Sequence, residues 1–259
     1  MNLRRLHPEN LASTIEERTF NLLRQWGMQA CLPACVREFE SFIAGNRDRS
    51  GGQVHQDLFV LWVLGQRRDG FFVEFGATDG VLLSNTLLLE REFGWSGVLA
   101  EPARVWHEAL RQNRRCQIDH RCVAGQTGGL IEFSESSCPE YSGTSVVLRS
   151  STHGTVRGVL ASYEVPTVSL ADLLTQHNAP REIDFLSVDT EGTEFEILSG
   201  FDFARWRVSV VAVEHNFDPV RRRKLRELLT SRGYRRCMRA LSSFDDWYVL
   251  ESLAAGRRL

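Results

Sequence analysis

A chain of 259 residues, 42% hydrophobic and 25% charged, is long enough for one large α/β domain with an N-terminal extension, or for two small domains. This is the composition of a soluble globular protein, and a net charge of −2 gives no global electrostatic case for nucleic acid or an anionic membrane as partner. The six cysteines (Cys31, Cys35, Cys116, Cys122, Cys138 and Cys237) show no C-x-x-C spacing, which argues against structural zinc and a disulfide-dense scaffold. Met1 to Phe20 is polar and lacks the apolar core of a signal peptide, and no apolar run has transmembrane length. The expectation is a cytoplasmic protein with reduced thiols.

In chain order, the first fifty residues read as helices. Ile15, Phe20, Leu22, Leu23 and Trp26 fall on one helical face, and a second periodic segment runs from Cys35 to Ile43. Asn46 to Gln53 has the composition of a linker, and a third helix is expected from about Gln56 to Gly65. From Gly70 short apolar strands alternate with helical stretches, the signature of βαβ units and a parallel sheet. The strands expected are 71–75, 97–101, 117–123, 130–133, 165–168, 183–188, 208–214, 234–239 and 247–250, with helices at 85–93, 103–113, 170–176, 194–199 and 219–232. No helix separates the last two strands, so an antiparallel hairpin at a sheet edge is expected. The polar stretch from Ser134 to Gly158 reads as a long loop or lid. Arg221-Arg-Arg-Lys224, continued by Arg226, Arg232, Arg235 and Arg236, reads as a solvated basic helix face; the sharper alternative is an anion-binding rim.

The segment from Phe71 to Gly80 is an apolar strand ending in a carboxylate and a turn with Gly76 and Gly80, followed by a helix. That recipe presents backbone N–H groups and a helix start to a nucleotide-like ligand. The spacing is not G-x-G-x-x-G: Thr78 stands where a dinucleotide fold needs a second glycine. Ligands of open α/β sheets sit beyond the carboxyl ends of the strands. Here those ends carry Glu74, Glu101, Val123 with Ala124, Asp189 with Glu191, and Glu214 with His215. Several carboxylates at one edge are costly to bury unless cations or hydroxyl donors meet them. S-adenosylmethionine offers an α-amino cation, a sulfonium and two ribose hydroxyls. Glu101, about twenty residues after the glycine turn, is placed to accept the ribose hydroxyls. Asp189 with Glu214, with or without His215, could hold a divalent cation such as Mg²⁺ that acidifies a substrate hydroxyl; alternatively His215 alone is the general base, oriented by a carboxylate.

These segments resemble the FkbM family of S-adenosylmethionine-dependent methyltransferases. The resemblance rests on Gln53–Asp57, Phe71–Gly80, Ser84–Thr86, Gly94–Pro102, Val165–Leu174 and Ile183–Gly192, and it covers about Gln53 to Leu250. It implies a Rossmann-like class I methyltransferase fold: a seven-stranded, mostly parallel α/β sheet with an antiparallel last strand. A helical N-terminal extension (1–52) would precede a methyltransferase domain (53–259). The implied activity is O-methylation of a sugar, glycan or natural-product hydroxyl. By its motifs Glu74, Gly76, Ala77, Asp79 and Gly80 would surround the methionine end of the cofactor, with Asn85 and Thr86 near the same end. Glu101 and Pro102 would take the ribose, Val123 and Ala124 would flank the adenine, and Ser145 would lie near cofactor or substrate. Asp189 and Glu191 would face the transferred methyl. Cys122 departs from the small or polar residue of many relatives.

The alternatives are an NAD(P)-dependent oxidoreductase, which the missing second glycine and the acidic Asp189 segment oppose, and a non-catalytic cofactor-fold binding protein, which the intact strand-end acids oppose. The expected partner is a small-molecule or glycan acceptor, with no nucleic acid or membrane. The N-terminal helices could cover the site or make a homodimer contact.

Overall fold

The computed structural model describes residues 32–137, 142–144, 158–257 and 259. The helix expected near Ile15–Trp26, Ser145 and most of the expected lid lie outside them. Among the described residues two α-helices come first, α1 (Ala34–Asn46) and α2 (Gln56–Val63). Phe39 of α1 is fully buried, its ring 5.6 Å from Phe59 and 6.1 Å from Trp247, so α1 shares one core with the sheet.

The main sheet contains β1 (Phe71–Phe75), β2 (Ser96–Ala100), β3 (Gln117–Asp119), β8 (Glu182–Val188), β9 (Arg207–Glu214), β10 (Tyr234–Cys237) and β11 (Asp245–Leu250). Its order is β10-β11-β9-β8-β1-β2-β3. Neighbours are parallel except β11, which runs antiparallel to both β9 and β10. The seven-stranded sheet with an antiparallel last strand is therefore present, and the class I methyltransferase architecture with it. The expected edge hairpin differs in one respect: β11 inserts between β9 and β10. Its Trp247, Tyr248 and Val249 are fully buried, an apolar run suited to an interior strand rather than an edge.

Between β2 and β3 lies α4 (His107–Asn113), and α3 (Leu87–Phe93) links β1 to β2, stopping at Gly94 in the left-handed conformation (φ +71°). The helices α5 (Leu170–Gln176), α6 (Glu194–Ser199), α7 (Pro219–Ser231) and α8 (Glu251–Arg257) complete the described set. Pro219 opens α7 and the Asp218 side chain accepts from Val220 and Arg221 N–H groups, so two residues, Asp218 and Pro219, mark the start of α7.

The stretch read as one strand over 117–123 divides into β3 and β4 (Cys122–Ala124), which belong to different sheets. A second sheet, β4-β7-β5-β6, joins β4 to β7 (Val159–Ser169), β5 (Leu130–Ser136) and β6 (Gly143–Thr144). Here β5 and β7 form a long antiparallel pair. Its outer residues Leu130, Val159 and Leu160 are exposed, so burial alternation gave no signal for the pair's full length. No helix among the described residues is long and apolar enough to cross a membrane.

Candidate active site

A cavity opens beyond the carboxyl ends of β1, β2, β8 and β9, where the strand order reverses between β1 and β8. Six carboxylates line it: Glu74, Glu101, Asp189, Glu191, Glu214 and Asp245. Among the described residues no lysine, arginine or histidine does so. Leu82, Leu83, Trp106, Phe133 and Phe244 supply apolar walls.

The turn after β1 is shaped by left-handed backbone. Gly76 has φ +72° and Gly80 φ +80°, and Thr78 adopts φ +48° despite its Cβ. Leu83 (φ +58°), Glu191 (φ +58°) and Asn216 (φ +48°) share this conformation at the ends of loops around the same cavity. Strained non-glycine backbone persists only where its surroundings over-determine it, and it concentrates at functional sites.

Glu74 lines the cavity, but its oxygens have partners within the protein. Oε1 accepts from Asn85 N at 2.7 Å, and Oε2 from Thr86 Oγ1 at 2.5 Å and Ser84 Oγ at 3.1 Å. Arg114, buried, lies 3.9 Å from Oε2 and also donates to Gly80 O, Ser84 Oγ and Thr86 Oγ1. Glu74 and Arg114 thus fix the loop from Gly80 to Thr86. Burial raises the Glu74 pKa while Arg114 and these donors oppose the rise. Sequence reasoning missed Arg114, because nothing in its neighbourhood marks an arginine forty residues from the carboxylate it faces. Asp79 Oδ1 accepts from Val81 and Leu82 N–H groups, a local turn device. Asp79, Ala77, Gly80, Thr86 and Ala124 do not line the cavity.

Glu101, at the end of β2, is buried and does line it. Oε2 accepts from Thr78 N and Oε1 from Ala103 N, each at 2.8 Å. Burial pushes its pKa up to about 7 despite those two donors. Pro102, Cys122 and Val123 line the cavity with Trp106 and Phe133, so an apolar wall accompanies Glu101. Ser142, Gly143 and Thr144, just before Ser145, line it too.

At the other end stand Asp189, Glu191 and Glu214, whose carboxylate oxygens lie within 4.8 Å of one another. Asp189 follows β8, enclosed by protein but still open to the cavity, and Glu214 is its hydrogen-bonding partner. Burial and then the neighbouring carboxylates raise the pKa of both. Asn216 Nδ2 donates to Glu214 at 2.8 Å and to Glu191 at 3.2 Å. Asp245 opens β11 directly opposite Glu214, and burial pushes its pKa up to about 7. Gln53 and Gln56 complete this end of the cavity. Asp245 escaped sequence reasoning because only the β11 insertion brings it to the cavity.

His215 is not placed to act as a base. It is fully buried and does not line the cavity. Its Nδ1 accepts from Phe217 N at 3.1 Å, which leaves the proton on Nε2, 3.1 Å from Asp245 O. Burial lowers its pKa to about 4. The anion-binding rim is likewise not formed: Arg222 and Arg236 are buried against Asp246 at 2.9 and 3.1 Å, and Arg221 faces Glu194 at 3.7 Å. None of these arginines lines the cavity.

Residues 74–236 match the model of the methyltransferase FkbM domain. The chain belongs to the FkbM methyltransferase family. No curated protein matches it. Among solved structures it is similar to methyltransferase FkbM from Methylobacillus flagellatus KT, at 12% identity and a TM-score of 0.44, over 88% of this chain and 65% of that one. It is also similar to precorrin-6y C5,15-methyltransferase from Geobacter metallireducens GS-15 (12% identity, TM-score 0.40, 70% of each chain). A third is a putative RNA methyltransferase from Pyrococcus horikoshii (12% identity, TM-score 0.36, 77% of this chain and 81% of that one). Within the FkbM match lie Glu74, Glu101, Asp189, Glu191 and Glu214; Gln53, Gln56 and Asp245 lie outside it.

Proposed function

We propose that this protein is an S-adenosylmethionine-dependent O-methyltransferase acting on a hydroxyl of a sugar, glycan or natural-product acceptor. The observation that carries this reading is the make-up of the cavity wall: six acidic side chains, with no basic side chain among the described lining residues. Such a wall attracts a cation and repels a dinucleotide pyrophosphate. The donor set also fits the cofactor's parts. Glu101 is the acceptor for ribose hydroxyls, and the apolar wall of Val123, Cys122, Trp106 and Phe133 suits a flat base. The Asp189 end suits a cationic centre.

The sulfonium, when bound, supplies an already activated methyl group. The protein's share is then to align the acceptor and take its proton. Asp189 and Glu214 are the groups placed for that proton, since a carboxylate whose pKa is raised is a better base near neutrality. A divalent cation on Asp189, Glu191 and Glu214 is a second part of the proposal, supported by their oxygen spacing alone. It would polarise an acceptor hydroxyl. Residues 53–259 would form the methyltransferase unit, with Gln53 and Gln56 at its N-terminal edge closing the acceptor side.

Transfer of a labelled methyl group from S-adenosylmethionine to a panel of glycosides tests the reaction, with and without chelator. Product methylated at carbon or nitrogen would contradict the oxygen assignment. Undiminished transfer in chelator would remove the cation and leave the carboxylates as base.

A further inference from the structure

Gln56, the first residue of α2, is buried and lines the cavity. Its Nε2 donates to Asp245 Oδ2 at 2.7 Å, while its Oε1 accepts from Val54 N at 3.1 Å. The amide is thereby oriented from both ends. Its mount is rigid: Asp57 accepts from Ser50 Oγ at 2.6 Å and from Gly51 N at 2.8 Å. A Cβ at Gly52 would lie 2.8 Å from Gln56 Oε1, so the glycine lets the loop pack closely against the amide.

Asp245 is directly opposite Glu214 across the antiparallel β9–β11 pair. Opposed residues in such a pair share a face, and like charges there repel. Both carboxyls are buried, both line the cavity, and neither forms an ion pair with an arginine or lysine among the described residues. Asp245 is held instead by the Gln56 amide, and Glu214 by the Asn216 amide together with its hydrogen bond to Asp189. An amide orients a carboxylate without discharging it, and a carboxylate accepts about four hydrogen bonds. Two fixed carboxyl groups thus stand side by side at the cavity with acceptor capacity that the amides do not fill, an arrangement that suits hydroxyl groups of a bound molecule and disfavours an anionic one.

We propose that Gln56 is a positioning residue for the acceptor: it fixes Asp245 beside Glu214, and the two carboxylates receive two neighbouring hydroxyls of a polyol, as a vicinal diol presents them. This rests on the O-methyltransferase reading and narrows it to acceptors with adjacent hydroxyls and no charge at that position. Gln56 opens α2 and lies before the matched residues 74–236.

The test uses the full chain saturated with S-adenosylhomocysteine, in chelator, so that no cation bridges the carboxylates. Methyl α-mannopyranoside and its 3-deoxy and 2,3-dideoxy counterparts, neither of which keeps two adjacent ring hydroxyls, are the probes, their dissociation constants read by ligand-observed NMR. The mannoside should bind at least about tenfold more tightly than a deoxy counterpart, as expected for a lost hydrogen bond to a charged group. Gln56→Leu should remove that discrimination and weaken the mannoside about tenfold, while homocysteine-cofactor affinity stays within about threefold. In an Asp245→Asn background, Gln56→Leu should add nothing, because both changes break one coupled unit. Should Gln56→Leu fail to fold, the wild-type comparison of diol and deoxy probes decides alone. Equal binding of all three probes, or binding of none, overturns the inference while leaving the cofactor site intact. Failure of S-adenosylhomocysteine to bind would instead remove the reading on which it rests.

Discussion

A Cβ placed on Gly76 would lie 2.5 Å from the carbonyl oxygen of Asp189, so the ends of β1 and β8 meet backbone to backbone. Gly76 also has φ +72°, where an L side chain is strained. Gly76→Ala therefore combines a left-handed penalty with a clash against immovable backbone. Together these should cost about 2–4 kcal/mol of stability, measured by urea unfolding. Because the displaced group belongs to Asp189, cofactor affinity should fall in the same variant even at temperatures where it stays folded.

Asp189→Asn should separate chemistry from folding. The Asp189 carboxyl sits among Glu191, Glu214 and Asp245, and those neighbours together with burial oppose its charge. Removing the charge relieves repulsion, so the variant should unfold at an equal or higher urea concentration than wild type. Its turnover should drop by about 10²-fold or more, the usual worth of a positioned base. Parallel losses of turnover and stability would mark Asp189 as structural.

His215→Gln should show the reverse pattern. The imidazole is held neutral between Phe217 N and Asp245 O, and its pKa is lowered to about 4. Below about pH 6.5 the unfolded chain binds a proton at His215 that the folded chain refuses, so this residue's contribution to stability falls as pH drops from 6.5 towards 4. His215→Gln should flatten that part of the stability profile and lower stability at pH 7 by about 1–3 kcal/mol. Turnover per folded molecule should lose far less than the roughly 10²-fold that a missing general base would cost.

Glu101 carries the opposite sign. Its folded pKa of about 7 lies above the ordinary glutamate value, so the folded chain holds a proton between about pH 4.5 and 7 that the unfolded chain has released. Its contribution to stability is thus present at acid pH and lost as pH rises through 7. Glu101→Gln should stabilise the cofactor-free protein relative to wild type at pH 8 by about 1–3 kcal/mol and change little at pH 5. The ionised carboxylate is the better acceptor for ribose hydroxyls, so cofactor binding near pH 7 should release a proton. Calorimetry in buffers of different ionisation enthalpy reads that release directly.

What the sequence discloses about this molecule follows from the range of the interactions involved. The strands β2, β8 and β9 are short apolar runs bounded by acids or glycines, and their ends name Glu101, Asp189 and Glu214 without any tertiary information. The glycine turn is equally local. By contrast, Asp245 reaches the cavity only because β11 inserts beside β9, and Arg114 only because α4 packs under the loop that follows β1. His215 misleads for the same reason: a strand-end histidine beside carboxylates looks like a base until Phe217 folds back onto its ring. The second sheet was obscured because β5 and β7 expose apolar residues at their outer ends, Leu130, Val159 and Leu160, leaving no clear period of two.

Titration of S-adenosylhomocysteine into the wild-type protein and Glu101→Ala by isothermal calorimetry tests the account most directly. The account predicts one site per chain on the wild type and an affinity at least about tenfold lower in the variant, as befits a lost charged acceptor for two hydroxyls. No heat on the wild type, or equal affinity for both proteins, would contradict it.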